Sequence, residues 1–150
     1  MRKFLQNAAM KKNETEILAK LNELLEFELS GITRYLHYSF MVFGPNRIPI
    51  TGWLRNQAQD GMNHATLIGE WITAMNGHPT VRVLPTPESN KHDIKSILSE
   101  SLEFERTGLA KYIELLHMVR DHDVALEEFV RGQIQQEQEH IFEMDKMLRN

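Results

Sequence analysis

The chain has 150 residues, of which 41% are hydrophobic, and it carries 17 lysines and arginines against 21 aspartates and glutamates. A chain of this length buries roughly 70% of the surface that it exposes when unfolded, so residues 1–150 are expected to form one domain without covalent cross-links. The sequence contains no cysteine, which excludes zinc fingers, iron–sulfur sites, disulfides and a thiol nucleophile. The net charge of −4, without a basic run, argues against nucleic acid as a partner.

The amino-terminal segment 1–12 lacks the long apolar core of a secretory signal. No apolar stretch in the sequence approaches the roughly 20 residues that a membrane span requires. We therefore expect a cytoplasmic protein with no membrane partner. Segment 1–12 is expected to be a lead-in that frays or docks on a partner.

Apolar residues recur at helical spacing in four segments, and the five prolines lie outside the interiors of these segments. The predicted helices cover approximately residues 15–43, 49–75, 92–119 and 123–149. Asn13 followed by Glu16 has the pattern of a capping box, and Asp123 is the expected N-cap of the fourth helix. Short connections join the first helix to the second and the third to the fourth, so each pair is expected to form an antiparallel hairpin.

The proline-rich segment 76–90 lies between the second and third helices. At roughly 3.3 Å per extended residue it can run nearly 50 Å, whereas a helix of about 27 residues is about 40 Å long. The segment can therefore cross the whole bundle and make the second and third helices parallel. The expected fold class is all-α, a four-helix bundle of two antiparallel hairpins joined by one long crossover.

The two predicted hairpins share one sequence pattern. Residues 25–36 align with residues 102–113 with six identities. The second and fourth helices also match, because Gln57, Gly61 and His64 have the same spacing as Gln133, Glu137 and His140. The repeat predicts a pseudo-twofold axis through the centre of the bundle.

Five ionisable residues interrupt the apolar faces of the predicted helices near their middles: Glu28, His64, Glu105, Glu137 and His140. An isolated buried carboxylate costs several kcal/mol unless it is paired, protonated or bound to a cation. The same faces carry no lysine or arginine, so a divalent metal would supply the missing positive charge. Carboxylate oxygens and imidazole nitrogens suit iron, manganese or zinc.

Each of these residues also has a purely structural interpretation. A single histidine on a helix face is usually a hydrogen-bonded core residue, and a lone Glu-x-x-His is a common accident in an acidic chain. The conjunction of one inward polar cluster on each of four helices favours metal binding. Tyr35 and Tyr112, each seven residues after a glutamate, either donate hydrogen bonds to the ligands or serve as packing aromatics. Gln133 is a further candidate for supporting the ligands.

These helices and motifs resemble the bacterioferritin branch of the ferritin-like superfamily over residues 15–150. The resemblance implies a bundle with a central di-iron site that acts as a ferroxidase, oxidising Fe(II) with dioxygen or peroxide, often within an iron-storing shell. By the pattern of the family, Glu28 and His64 hold one iron ion and Glu105 and His140 hold the other. Glu137 bridges the two ions.

The sequence departs from this family at Gly61, where the family pattern places the second bridging carboxylate. The glycine is expected to leave a hole about the size of a glutamate side chain. Solvent or a small anion could bridge there, Asp60 or Gln57 could reach in, or one of the two iron positions could be weak. Ferroxidase activity therefore stays open at this point, and a non-catalytic ferritin-like oligomer is the alternative.

Bacterioferritins also bind haem at a dimer interface, through a methionine two residues before the metal-binding histidine, and Met62 has that position. A haem-binding dimer through Met62 is therefore a further alternative, against an ordinary packing role for this methionine. The sequence stops at Asn150, directly after the fourth predicted helix, whereas bacterioferritins carry a fifth helix that lines the fourfold axes of their shell. We expect a homodimer at least, or a larger shell built through other contacts.

Overall fold

The computed structural model describes the backbone of residues 1–149 and the side chains of residues 1, 10–11 and 13–149. Four α-helices follow one another along the chain: α1 Arg2–Met41, α2 Arg47–Ala74, α3 Ile94–Val119 and α4 Val124–Leu148. None of residues 1–149 lies in a β-strand. None of the four helices described over residues 1–149 combines the length and the apolarity that a membrane span requires.

The bounds of α2, α3 and α4 lie within two residues of those expected from the sequence. The helix α1 begins at Arg2 rather than near residue 15. The capping box predicted at Asn13 and Glu16 is wrong, because these residues lie inside a helix, where the backbone amides already have intrahelical acceptors. The fraying or docking expected of segment 1–12 concerns mostly side chains that lie outside the described residues.

Short-range polar contacts set the other helix ends. The Asp123 carboxylate accepts a hydrogen bond of 2.8 Å from the Leu126 amide, which confirms the predicted N-cap. Asp93 caps α3 in the same way, 2.8 Å from the Ser96 amide. Beyond α2, Asn76 adopts a left-handed conformation with φ of 59°, and the Gly77 amide donates to the Ile72 carbonyl at 2.8 Å. The two aspartates thus fix where α3 and α4 begin, and the turn at Asn76 and Gly77 ends α2 where the crossover begins.

The architecture is a four-helix bundle, in which α1 and α2 form one antiparallel hairpin and α3 and α4 form the other. Residues 75–93 form the long crossover between the hairpins. Two apolar clusters fill the interior. One includes Leu21, Ile68, Leu115 and Val130, and the other includes Val42, Leu54, Ile97 and Met144. Along every helix the predicted polar residue lies between members of the two clusters, so the bundle carries a polar layer at mid-length.

Candidate metal centre

One buried polar side chain from each helix reaches the middle of the bundle. These side chains are Glu28 of α1, His64 of α2, Glu105 of α3 and Glu137 of α4, and each is at most 5% exposed. His140, one turn after Glu137, also reaches the centre, and 20% of its side chain is exposed. All five line one small cavity of about 10 Å³, which is about the room that one water molecule needs. The five residues predicted from the sequence are thus brought together.

The donor atoms form two groups that share one carboxylate. The first group is Glu28, His64 and Glu137, and the second is Glu105, Glu137 and His140. Within each group the donor atoms lie within 4.8 Å of one another. This spacing allows one cation to contact three side chains in each group, with Glu137 available to both cations. The role of these residues as metal ligands stays a prediction.

The two histidines present the same ring nitrogen to the carboxylates. His64 Nδ1 lies 3.4 Å from Glu28 Oε1 and 3.5 Å from Glu137 Oε1. On its far side, His64 Nε2 donates to Gln136 Oε1 at 2.8 Å. A hydrogen bond at Nε2 fixes the ring orientation and leaves Nδ1 to face the centre.

His140 repeats this arrangement in the second hairpin. Its Nδ1 lies 3.9 Å from Glu105 Oε2, and its Nε2 lies 3.6 Å from Asp60 Oδ2. The His64 and His140 rings are nearly parallel, with centroids 6.4 Å apart and an angle of 18°. Asp60 thus contacts the outward nitrogen of His140 and also lines the cavity beside Gly61, so its role as a substitute carboxylate stays a prediction.

Two buried tyrosines hold the carboxylates of α1 and α3. The Tyr112 hydroxyl donates to Glu28 Oε1 at 2.5 Å, and the Tyr35 hydroxyl donates to Glu105 Oε1. Each tyrosine therefore reaches the glutamate of the other hairpin. Burial raises the pKa of both tyrosines well above the usual value, and the adjacent carboxylates raise it further. Both hydroxyls stay protonated and act as fixed donors.

The three carboxyl groups and His64 share protons unequally in the metal-free protein. Burial raises the pKa of Glu105 well above the ordinary range, and the nearby Glu137 carboxylate raises it further. Burial also acts to raise the pKa of Glu137, but the interactions with Glu105 and His64 outweigh it and lower that pKa. Burial would lower the pKa of His64, yet its contacts with Glu137 and Glu28 raise it to about 10. A cation that binds here would compete with protons for the same carboxylate and imidazole atoms.

A pair of phenylalanines related by the sequence repeat closes one side of the cavity. The rings of Phe27 and Phe104 are stacked, with centroids 4.2 Å apart and an angle of 7°. Each ring also packs on a glycine of the opposite helix, since a Cβ at Gly31 would lie 2.9 Å from Phe104, and one at Gly108 would lie 2.7 Å from Phe27. The two contacts are equivalent under the repeat, as are the two tyrosine hydrogen bonds. The interior therefore follows the predicted pseudo-twofold relation.

The pseudo-twofold relation does not hold at Gly61, whose counterpart in the other hairpin is Glu137. A Cβ at Gly61 would lie 3.3 Å from Ile32 Cγ1 and 3.8 Å from Glu28 Oε2. The hole predicted beside Gly61 is wrong, because the Ile32 side chain already packs against the glycine backbone. The remaining cavity of about 10 Å³ is far smaller than a glutamate side chain.

The other predicted residues take varied positions. Gln57 lines the cavity, and Gln133 is 3% exposed; the amide oxygen of each is buried without a hydrogen-bond partner in the described part of the chain. Met62 is 47% exposed and lies outside the cavity. Gln136, which holds His64, was missed by the sequence reasoning, since a glutamine next to an inward glutamate carries no distinctive pattern. The Phe27 and Phe104 pair could have been found, because both residues are identities of the repeat.

Comparisons with known proteins concern the family and the fold of the chain. The family model for the ferritin-like domain matches residues 18–150. A bacterial ferritin from Paramagnetospirillum magnetotacticum is 26% identical over 105 residues, which cover 70% of this chain and 63% of that protein. The match thus spans less than two thirds of the length of this curated relative.

Two solved structures share the fold. One is described as a ferritin-like di-iron carboxylate protein from Bacillus anthracis, with a TM-score of 0.86 and 24% identity over 91% of this chain and 98% of that chain. The other is described as a dodecameric thioferritin, the bacterioferritin-related protein of Bacteroides fragilis. Its TM-score is 0.83 and its identity 20%, over 95% of this chain and 92% of that chain.

Proposed function

Because the chain belongs to the ferritin-like family, we propose that its mid-bundle site binds two iron ions and oxidises Fe(II). The observation that supports this most strongly is the sharing of Glu137 by two groups of donor atoms, each with one further glutamate and one histidine. Glu28 and His64 would hold one ion, Glu105 and His140 the other, and Glu137 would contact both.

The donor set fits iron. It contains only oxygen and nitrogen atoms, which suit iron, with manganese and zinc as chemically acceptable competitors. Glu137 Oε2 is buried and has no hydrogen-bond partner in the described part of the chain. A buried carboxylate oxygen without a donor is costly, and a bound cation would remove that cost. When bound, Fe(II) would supply the electrons that reduce dioxygen or peroxide.

The surrounding residues would orient the donors before iron arrives. Tyr112 and Tyr35 hold Glu28 and Glu105 by their hydroxyls. Gln136 and Asp60 contact the outward Nε2 atoms of the two histidines. Since such outer contacts keep ligands in place, losing one typically lowers metal affinity about 10- to 100-fold.

Anaerobic titration with Fe(II), followed by calorimetry and metal analysis, tests the proposal. We expect two ions per chain, or one if the missing carboxylate at Gly61 weakens a position. Glu137→Gln should remove stoichiometric binding, whereas Glu139→Gln, an exposed carboxylate on the same helix, should leave it unchanged. Equal iron binding by the two variants, or none by the wild type, would contradict the proposal.

The second candidate is a protein that keeps the ferritin-like fold but does not oxidise iron, and Gly61 favours it. Three carboxylates supply less negative charge than two divalent ions require, so a non-catalytic ferritin-like protein is consistent with this departure. Stopped-flow mixing of the iron-loaded protein with dioxygen and, separately, with peroxide separates the two. A rate no faster than that of the Glu137→Gln variant would favour the non-catalytic candidate.

We also propose that the chain self-associates, at least as a homodimer. The Bacteroides fragilis relative is described as a dodecamer. Leu36, Phe40 and Phe43 are 43%, 55% and 60% exposed near the end of α1, a concentration of apolar surface that favours an interface. Light scattering of the wild type and of Phe40→Asp should show a smaller assembly for the variant. A monomeric wild type would contradict self-association.

Met62 remains the residue proposed for haem, since its side chain is exposed on α2 where a partner could approach. Reconstitution with haem should then give a Soret band that is lost in Met62→Leu. A band that persists in this variant would exclude Met62 as the ligand.

A further inference from the structure

A groove of about 760 Å³ opens where α1 and α3 meet the crossover. Its walls are mostly apolar and include Phe27 and Phe104 together with Leu84, Pro85 and Pro87 of the crossover. A volume in this range with an apolar lining is typical of sites for small molecules. The groove is separate from the cavity of the candidate metal centre, because the stacked Phe27 and Phe104 rings line both and lie between them.

Arg34 lies in this groove without a carboxylate partner in the described part of the chain. Its guanidinium carbon is 4.8 Å from the centroid of the Phe104 ring, and its Nη1 donates to the Tyr38 hydroxyl at 2.9 Å. Its Nε is buried and has no acceptor among the described residues. A half-buried guanidinium that lies over an aromatic ring and has no carboxylate partner among the described residues is suited to a planar anionic group.

The acidic side chains around the groove have contacts of their own. Glu88 lies 3.2 Å from His37 Nε2, Glu103 accepts from Arg106 at 2.9 Å, and Glu100 accepts from the Tyr38 hydroxyl at 2.9 Å. None of the three contacts Arg34 directly. Glu88 and Glu103 are also more than half exposed, so water screens their charge.

We propose that this groove binds a small organic anion, with a planar apolar ring and one carboxylate, sulfonate or phosphate group. The ring packs among Phe104 and the crossover residues, and the anionic group pairs with Arg34. The apolar walls supply most of the contact area, and the guanidinium selects the charge. This site is independent of the proposed iron binding.

A pair of fluorescent probes that differ mainly in charge tests the proposal on the full chain in EDTA. The probes are 8-anilinonaphthalene-1-sulfonate and its neutral relative N-phenyl-1-naphthylamine. We expect the sulfonate to bind saturably at one site per chain, at least tenfold more tightly than the neutral probe. In Arg34→Gln this preference should disappear, because the neutral probe keeps its affinity and the sulfonate loses at least tenfold.

Two further variants keep the test decisive. Thr107 is exposed and lines the groove, so Thr107→Trp should fill it and weaken both probes without disturbing the core. Arg149→Gln, which removes an exposed arginine just after α4 and outside the groove lining, should bind the sulfonate as the wild type does. Unchanged sulfonate affinity in Thr107→Trp and Arg34→Gln would place the probe on another apolar surface and overturn the proposal. The Thr107→Trp result decides the matter if Arg34→Gln fails to fold.

Discussion

Replacing Glu105 with glutamine should stabilise the metal-free protein and remove its stabilisation by iron. The Glu105 carboxyl is 4% exposed, and burial together with the Glu137 carboxylate raises its pKa well above the ordinary range. It therefore holds a proton that it loses on unfolding. A glutamine amide at this position has no proton to lose, and its oxygen can still accept the hydrogen bond from Tyr35.

The size of the effect follows from the proton. An unfolded glutamate has a pKa of about 4.3, and each pH unit above this value costs about 1.4 kcal/mol for a carboxyl that must stay protonated in the fold. The penalty is absent below the unfolded pKa, grows with pH and levels off at the raised folded pKa. At pH 7 it is at most about 4 kcal/mol. Allowing for imperfect packing of the amide, we expect Glu105→Gln to gain about 1–3 kcal/mol, or about 3–10 °C in Tm.

Thermal unfolding followed by circular dichroism measures this gain. In EDTA at pH 7 the variant should melt above the wild type, and the two Tm values should converge near pH 4.5. Fe(II) at about 100 times its Kd adds about 2.7 kcal/mol to a protein that binds one ion, so anaerobic iron should raise the wild-type Tm by about 5–10 °C. Iron should raise the variant far less. Glu103→Gln, two residues away and exposed, is the control and should change neither quantity.

Three results are informative. A lower Tm for Glu105→Gln in EDTA at pH 7 would refute the view that Glu105 is a buried carboxyl without a cation. An equal rise with iron in both proteins would remove Glu105 from the metal site. A stabilised variant together with a wild type that gains nothing from iron would favour the non-catalytic candidate.

Three further substitutions test the site and the core. Tyr112→Phe leaves Glu28 without its hydroxyl donor, so iron affinity measured by calorimetry should fall about 10- to 100-fold. Gly61→Glu adds a carboxylate against Ile32, so it should lower the Tm, and the decrease should be larger in EDTA than with iron. The control is Gly69→Glu, where a Cβ meets nothing within 4 Å, and its Tm should change little. Ile68→Ala, at a fully buried position, should lose about 2–5 kcal/mol in urea unfolding; the half-exposed Leu67→Ala should lose much less.

Local patterns predicted the helices and the polar layer because both depend on spacing along one helix. A residue every third or fourth position faces the same side, so an inward glutamate is visible without any knowledge of its neighbours. The Asp123 cap was predictable for the same reason, since its partner is only three residues away. Asn13 and Glu16 show the limit of this reasoning. They have the capping pattern, but α1 continues through them.

Contacts between helices could not be predicted, because they depend on how the hairpins cross. Tyr35 is on the same helix as Glu28 but donates to Glu105 of α3. Similarly, Gln136 precedes the inward Glu137 on α4 yet holds His64 of α2. In each case the sequence identifies a polar group near the layer, and only the packing of the two hairpins assigns its partner.

Gly61 illustrates how packing changes the meaning of a residue that the sequence had singled out. From the sequence alone, a glycine in place of a glutamate predicts an empty volume where the glutamate side chain would lie. In the bundle, α1 and α2 approach closely enough for Ile32 to lie 3.3 Å from a Cβ at this position, so the void is already filled with hydrocarbon. A filled site stabilises the metal-free bundle but offers no fourth carboxylate to the ions. Glu137 of α4 is therefore the carboxylate that the two donor groups share, and we expect a second bridging group to be solvent, a small anion, or Asp60 or Gln57 of α2, which line the cavity together with Gly61.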